Sequence, residues 1–349
     1  MTKIKDNSDL HQAKVNAADE FYTADEDVVA EMQCYDFKGK SVYLPCDDNH
    51  SAFWKYFHDN FENLGLSKLC ATSWSGNENS CGFYYYKDAN GEYASTISTI
   101  DVNTGQHAGP INDGSYEKNL HLIDEYDVIV TNPPFSKFRD FIRTLFEHNK
   151  KFIILGNLNA VTYREVFPHI VNGELRLGET IHSGDREFQV PSYYPLKGTA
   201  VRTDENGNQY IRVKGVRWFT NYFDQCVNHR EPTQRILKWK KDNVFSLKEF
   251  KQPYRWFDTY PALNVDSMKE IPVNFDNKIG APITVIDKMG ADGLLHFRSE
   301  DDKDITFLIE GMLNSGNHPE YFDFDKPIIN GKMKFKRLII RRVYKYNGI

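Results

Sequence analysis

The residues best suited to chemistry lie together in Asp127-Val128-Ile129-Val130-Thr131-Asn132-Pro133-Pro134-Phe135. The amide oxygen of Asn132 and the backbone carbonyl of Pro133 can point the same way from a stiff loop. Two such acceptors can take both hydrogens of a planar amino group. That draws the nitrogen lone pair out of conjugation and aims it at an electrophile. Phe135 offers a flat face to the ring that carries the amino group. A plainer reading stands beside this one: a strand-ending turn whose Asn caps the next helix and whose Phe packs in the core.

The flanking elements must position such a turn. Asp127 to Thr131 reads as a buried strand, since it is mostly β-branched. The two prolines cannot donate to a sheet ladder and stop it. Phe138, Phe141, Ile142, Leu145 and Phe146 then recur at helical spacing. Strand, rigid turn and helix present reactive groups at the carboxyl end of an α/β sheet.

Upstream, residues 1 to about 19 are polar and read as a loose arm. Glu20-Phe21-Tyr22-Thr23 precedes an acidic helix expected to run through Tyr35. Thr23 and Glu26 have the spacing of a capping box, or the aromatic-Thr corner lies against a cofactor. Ser41 to Pro45 reads as a strand, followed by Cys46-Asp47-Asp48-Asn49 and a helix with Phe53, Phe57, Phe61 and Leu64 on one face. This is the first strand–loop–helix unit of a doubly wound fold, and its loop is where a nucleoside cofactor sits. The usual Gly-x-Gly is missing there. Asp48 either caps the helix or offers a carboxylate to ribose hydroxyls or an ammonium group. Leu66 to Trp74 is expected as a second strand, and Cys81 to Tyr86 with Tyr93 to Ile100 as a hairpin turning at Ala89-Asn90-Gly91. Asp113-Gly114-Ser115-Tyr116, before a short helix at 117–125, is a turn near the cofactor or a plain Asp-Gly turn.

After the central helix, Lys151 to Leu155 is another buried strand, and Gly156-Asn157-Leu158-Asn159-Ala160 an elbow into a helix carrying Tyr163 and Val166. Residues 176 to 215 break the α/β rhythm and are expected to form an antiparallel insertion. Val216 to Asn221 is strand-like again. Composition is that of a globular chain, with 40% apolar and 26% charged residues and a high aromatic share of 14%. The net charge of −6 confines any nucleic-acid site to a local patch. Residues 229–255 interleave basic side chains with Trp239 and Tyr254, with Trp256 next in the chain, and residues 326–349 carry eight Lys/Arg and no acid. Such segregation favours a phosphate-tracking surface over a merely solvated face. Along a strand, Lys334 and Lys336 share one face with Leu338 and Ile340, so either a twist or bulge is expected near Arg337 or only part of the strip meets DNA. The five cysteines show no metal spacing, no signal peptide is legible, and no apolar run approaches a membrane span. The expectation is a cytoplasmic protein with free thiols and no metal.

The Asn-Pro-Pro-Phe turn resembles the signature of amino-methyltransferases that use S-adenosylmethionine. The shared order of several segments resembles the EcoRI-type adenine-specific DNA methyltransferase family through nearly the whole chain. These segments are Asp19-Glu20-Phe21-Tyr22-Thr23, Cys46-Asp47-Asp48, Val130-Thr131-Asn132-Pro133-Pro134-Phe135-Ser136, Gly156-Asn157-Leu158-Asn159-Ala160, Arg217-Trp218-Phe219-Thr220-Asn221 and Ala281-Pro282-Ile283-Thr284. The resemblance implies an α/β fold: a Rossmann-like methyltransferase sheet in residues 1–222, with the antiparallel insertion at about 176–215, and a C-terminal target-recognition, DNA-binding region in 223–349. It implies methyl transfer from S-adenosylmethionine to the 6-amino group of a flipped adenine in duplex DNA.

Carried over, Asn132, Pro133, Pro134 and Phe135 are the target-base motif. Phe21, Tyr22, Thr23, Asp47, Asp48, Asp113 and Tyr116 border the cofactor. At 115 and 116 this chain has Ser and Tyr where the family pattern has Asp and Phe, and Tyr116 can keep a stacking role. Lys334, Lys336, Arg341 and Arg342 are the expected DNA contacts. Double-stranded DNA is the expected partner, with no membrane. A cognate restriction endonuclease is a candidate partner, and the chain is expected to act as a monomer. The alternatives are methylation of RNA amino groups or protein glutamine, or a degenerate fold that only binds DNA.

Overall fold

In a computed structural model of the chain, the apolar runs pair into two mixed sheets. The structure describes residues 22–73, 82–97, 119–190, 201–227, 254–272, 275–290, 292–298, 304–314 and 325–344, with only the backbone for 82–85 and 93–97. These residues fall into two units. One lies within Met1–Asn157 and Gly178–Asn228, the other within Leu158–Leu177 and His229–Ile349. Among the described residues no helix is long and apolar enough to cross a membrane.

The first unit opens with α1 (Asp25–Met32), β1 (Ser41–Leu44), α2 (Ala52–Asp59), α3 (Phe61–Leu64) and β2 (Lys68–Ser73). The hairpin β3 (Gly82–Asp88) and β4 (Gly91–Ile97) follows, then α4 (Leu120–Glu125), β5 (Val128–Thr131), α5 (Phe138–Glu147) and β6 (Lys151–Asn157). β1, β2, β5 and β6 pair in parallel, with Val42 opposite both Leu69 and Val128, and Val130 opposite Ile153. Because β1 lies between β2 and β5 in the order β4-β3-β2-β1-β5-β6, the chain winds outward in two directions. A crevice at the carboxyl ends of β1 and β5 is the geometric result.

Both faces of this sheet are covered, so β1 and β5 are buried along their whole length. α5 buries Phe138, Phe141, Ile142 and Leu145, the stripe its spacing predicts. The Phe53–Leu64 stripe is split in two. Asn60 leaves the helical region at φ −107°, so Phe61 and Leu64 stand on the separate α3. Gly156 has a definite steric role: a Cβ there would lie 2.3 Å from Cε2 of Phe138.

Two expectations for α1 are corrected. Its N-cap is Ala24 with no side-chain cap, so Thr23 and Glu26 stand one residue out of register for a capping box. The helix ends at Met32 rather than Tyr35, because Val227 N–H donates to the Cys34 carbonyl and Tyr35 pairs with Cys226 as an antiparallel bridge.

The chain leaves the first unit after Asn157. A 3-10 turn (Leu158–Thr162), α6 (Phe167–Val171) and β7 (Arg176–Leu177) belong to the second unit. Tyr163 and Val166 thus precede a short helix instead of riding on it. Returning to the first unit, β8 (Asp185–Val190), β9 (Val201–Thr203) and β10 (Gln209–Lys214) form a separate antiparallel sheet in the order β8-β10-β9. β11 (Val216–Thr220) then pairs antiparallel with β6, Trp218 opposite Leu155.

The second unit continues with β12 (Arg255–Trp256), β13 (Leu263–Asn264), β14 (Ile279–Pro282), β15 (Leu295–Arg298), β16 (Asp304–Leu313), the hairpin β17 (Ile328–Ile329) and β18 (Lys332–Met333), and β19 (Arg337–Val343). Its larger sheet has the order β12-β13-β14-β19-β16-β15. The β17–β18 turn places Asn330 at φ 50° and Gly331 at φ 69°, the double left-handed geometry of a tight hairpin. β19 is central, and Arg337 to Ile340 are buried. The basic strip is therefore interrupted before Arg337, between β18 and β19. The bulge lies in the partner strand, at Ile309/Gly311.

Candidate active site

β5 delivers Thr131 fully buried and then stops at the two prolines. Asn132 is half-buried, Pro133 buried and Phe135 half-buried. The Pro134 carbonyl accepts the Lys137 amide at 2.9 Å, which turns the chain into a short 3-10 segment ahead of α5. The Pro133 carbonyl accepts no backbone N–H among the described residues. The cap reading of Asn132 fails, since the residue preceding the 3-10 turn is Pro134 and no side chain caps it. Phe135 meets Phe188 of β8 edge-on, with ring centroids 6.3 Å apart.

The loop after β1 lies beside this turn. Thr131 Oγ1 donates to Asp47 Oδ2 at 2.7 Å, joining the ends of β5 and β1. Asp47 N–H donates to the Thr72 carbonyl at the end of β2. Burial pushes the Asp47 carboxyl up to about 7, against hydrogen bonds from Thr131 and Ser51 that favour its charge; the neighbouring Asp48 charge adds to the rise. Asp48 is half-buried, and its Oδ1 accepts the His50 amide at 2.8 Å. The cap of α2 is instead Ser51, whose Oγ accepts from Trp54 N–H at 3.0 Å. Tyr22 N–H donates to the Gln189 carbonyl on β8, next to Phe188. Thr23 Oγ1 is buried and has no hydrogen-bond partner among the described residues. Phe21, Asp113 and Tyr116 lie outside the described residues. The Tyr22–Thr23 corner, Phe188 and Phe135 thus reach one neighbourhood through β8, while Asp47 and Thr131 join the two loops directly.

Residues 9–343 match the family described as adenine-specific methyltransferase EcoRI. The chain is 34% identical to the Type II methyltransferase M.EcoRI of Escherichia coli over 98% of both chains. It is also 34% identical to the Type II methyltransferase M.MpnI of Mycoplasma pneumoniae, over 95% of this chain and 98% of that one. The chain belongs to the EcoRI adenine-specific methyltransferase family. It is an adenine-specific DNA methyltransferase. A third relative, the Type II methyltransferase M.MgeORF184P of Mycoplasma genitalium, is 27% identical over 95% of this chain. No solved structure matches the chain.

In this methyltransferase the basic residues of the second unit have specific neighbours. Lys334 pairs with Asp266 at 3.3 Å, and Arg341 pairs with Glu310. Lys336 Nζ donates to Thr162 Oγ1 at 2.6 Å. The Arg342 guanidinium lies 4.5 Å from the Tyr344 ring centroid. Arg337 is buried: it donates to Asp266 at 2.8 Å, to Asn264 at 3.1 Å and to the carbonyls of Phe335 and Lys336. Burial works to raise the Asp266 carboxyl, but hydrogen bonds from Asn264, Lys334 and Arg337 and the Lys334 charge outweigh it, and the group is held below its ordinary value. Of the basic run at 229–255, only Tyr254 and Arg255 are described.

Sequence reasoning missed Thr131, Ser51, Phe188 and Glu31. Ser51 follows Asp47 and Asp48 closely at a helix start, a signal present in the sequence, whereas Thr131 meets Asp47 only across 84 residues. Glu31 is fully buried and accepts from Thr180, from the Glu179 amide and from the Tyr35 hydroxyl, so it pins α1 to a segment 148 residues away. Burial raises its carboxyl, against those hydrogen bonds. Cys34 is pushed up to about 12 by burial and the Glu31 and Glu179 charges, an unreactive thiol. Among the described residues Cys34, Cys46, Cys70 and Cys226 form no disulfide.

Proposed function

We propose that this methyltransferase moves a methyl group from S-adenosylmethionine to the 6-amino group of an adenine turned out of duplex DNA, at the Asn132–Phe135 turn. The observation that carries the reading is the turn itself. It sits where β5 ends beside β1, with the Pro134 carbonyl already engaged by the Lys137 amide and the Pro133 carbonyl taking no backbone N–H among the described residues. Asn132 Oδ1 and the Pro133 carbonyl accept the two amino hydrogens. Phe135 stacks on the base, braced at its edge by Phe188. The two oxygens then lie against the positive charge that develops on the nitrogen, and most of the gain is orientation plus fixed dipoles.

The carboxyl-end crevice suits a nucleoside cofactor, and the residues there fit one. Thr23 Oγ1 is a buried hydroxyl with bonding capacity to spare, and Asp48 presents a partly exposed carboxylate. Tyr22 and Asp47 border the same loop ends, and Phe21, Asp113 and Tyr116 are assigned there by resemblance. When bound, S-adenosylmethionine supplies an electrophilic methyl on a positively charged sulfur. The two-way winding about β1 supports a Rossmann-like catalytic domain in residues 1–222, with its antiparallel insertion at about 176–215. Residues 223–349 act in target recognition. Lys334, Lys336, Arg341 and Arg342 contact phosphates, Lys334 and Arg341 by exchanging carboxylate partners. The enzyme works as a monomer in the cytoplasm, paired with a restriction endonuclease of the same specificity.

The test is transfer of tritiated methyl to duplex DNA, RNA and protein side by side, with digestion of the product to nucleosides. Label in N6-methyldeoxyadenosine is the expected result. Label in RNA or protein alone overturns the reading.

A further inference from the structure

The ends of three adjacent parallel strands are tied by buried hydrogen bonds that finish one residue before the catalytic turn. Tyr43 Oη and Thr72 Oγ1 are 2.7 Å apart, linking β1 to β2. The Thr72 carbonyl accepts from Asp47 N–H at 3.0 Å. The Asp47 carboxylate in turn accepts from Thr131 Oγ1 at 2.7 Å and is hydrogen-bonded to Ser51, the cap of α2. Thr72 and Thr131 are fully buried and Asp47 is 6% exposed. A carboxylate so placed is turned into the protein and engaged by two hydroxyls, whereas its neighbour Asp48 is partly open. Thr131 is β-branched, so a hydrogen bond on its hydroxyl fixes the side chain and the backbone that enters Asn132.

We propose that Asp47 is a positioning residue: through Thr131 it sets the aim of Asn132 and locks the cofactor loop and the target-base turn into one piece. This rests on the reading of Asn132 as the acceptor for the adenine amino group. The physical reason is the steep cost of misplacement. A small displacement of a group that orients a reactant lowers the rate by up to about 10²-fold without touching the affinity of a separate ligand. A residue that contacts S-adenosylmethionine would do the reverse, weakening its binding while sparing turnover at saturation.

The experiment measures single-turnover methylation at saturating S-adenosylmethionine and duplex DNA, with S-adenosylmethionine affinity by calorimetry. It uses full-length Asp47→Ala, Thr131→Val, the double variant, Asp47→Asn and Asn132→Ala. Asp47→Ala and Thr131→Val are each expected to slow the reaction by ~10–10²-fold with little change in affinity. The double variant should be no slower than the slower single variant, since both remove one contact. Asp47→Asn should recover most of the rate, because its amide oxygen still accepts the Thr131 hydroxyl. Weakened S-adenosylmethionine binding with an unchanged rate in Asp47→Ala overturns the proposal, as do multiplicative losses in the double variant. If Asp47→Ala does not fold, the near-isosteric Thr131→Val decides: an unchanged rate there overturns it. Slow Asn132→Ala with normal Asp47 and Thr131 variants removes this inference alone, while normal Asn132→Ala removes the reading of the turn itself.

Discussion

Replacing Asp47 by Asn is expected to abolish a loss of stability that the wild-type protein suffers between pH 4 and pH 7. The carboxyl has an ordinary value of 3.8 and is pushed up to about 7 in the folded protein, chiefly by burial. In that interval the folded state holds a proton that the unfolded chain has released, so stability falls as pH rises. Below the unfolded value both states are protonated and the acid costs nothing. Above the folded value the full cost of burying the charge is present. At about 1.4 kcal/mol per pH unit, the interval corresponds to on the order of 4 kcal/mol. The Asn side chain is neutral throughout, keeps an oxygen for Thr131 and Ser51, and carries no such dependence. Urea unfolding of both proteins from pH 4 to pH 8, read by near-ultraviolet circular dichroism, measures the difference. Asp47→Asn should gain on the wild type with rising pH and level off above about pH 8. A difference independent of pH would refute the reasoning, because it would mean that Asp47 ionises normally and is not desolvated.

Three further outcomes are expected. Arg337→Met should destabilise the protein by about 1–3 kcal/mol, because it leaves the Asn264 oxygen and two carbonyls without their donor, while the half-exposed Asp266 keeps Lys334 and Asn264. Urea midpoints check this, and an unchanged midpoint contradicts it. In a salt series on cognate and unrelated duplexes, Lys336→Ala and Arg342→Ala should each flatten the slope of log affinity by about 0.9. Lys334→Ala and Arg341→Ala should flatten it less, because Asp266 and Glu310 take up a cation when their partners move to phosphate; four unchanged slopes would leave these residues a solvated surface. Asp48→Asn should weaken S-adenosylmethionine binding about tenfold by calorimetry while leaving α2 intact, since Ser51 caps that helix; unchanged affinity removes Asp48 from the cofactor site.

The local features of the fold were legible because they are written in neighbouring residues. Val128 to Thr131 followed by two prolines can only be a strand that stops, and Phe138, Phe141, Ile142 and Leu145 can only face one way on a helix. Ala89-Asn90 at the β3–β4 turn is equally local. Partnerships across the chain were not legible. Asp47 and Asp48 look alike in sequence, yet one turns inward to Thr131, 84 residues away, and the other stays partly open. The C-terminal basic strip contains no acid of its own, but Asp266 reaches it from the bend after β13 and Glu310 from β16. The position of Arg337 was legible only as a conflict of alternation; the structure resolves it by burying the guanidinium over Asp266 and Asn264. The split of the Phe53–Leu64 stripe depends on the backbone at Asn60, which spacing alone does not encode.

The most direct test of the account is the single-turnover rate of Asn132→Ala on cognate duplex DNA, with cofactor affinity measured alongside. The proposed function makes Asn132 one of two acceptors for the adenine amino group, and loss of one preorganised polar contact to a developing charge costs ~10²–10³-fold in rate. S-adenosylmethionine affinity should stay near that of the wild type, because the proposed contact of Asn132 is with the base and not with the cofactor. A rate within a few-fold of the wild type would contradict the role of the turn.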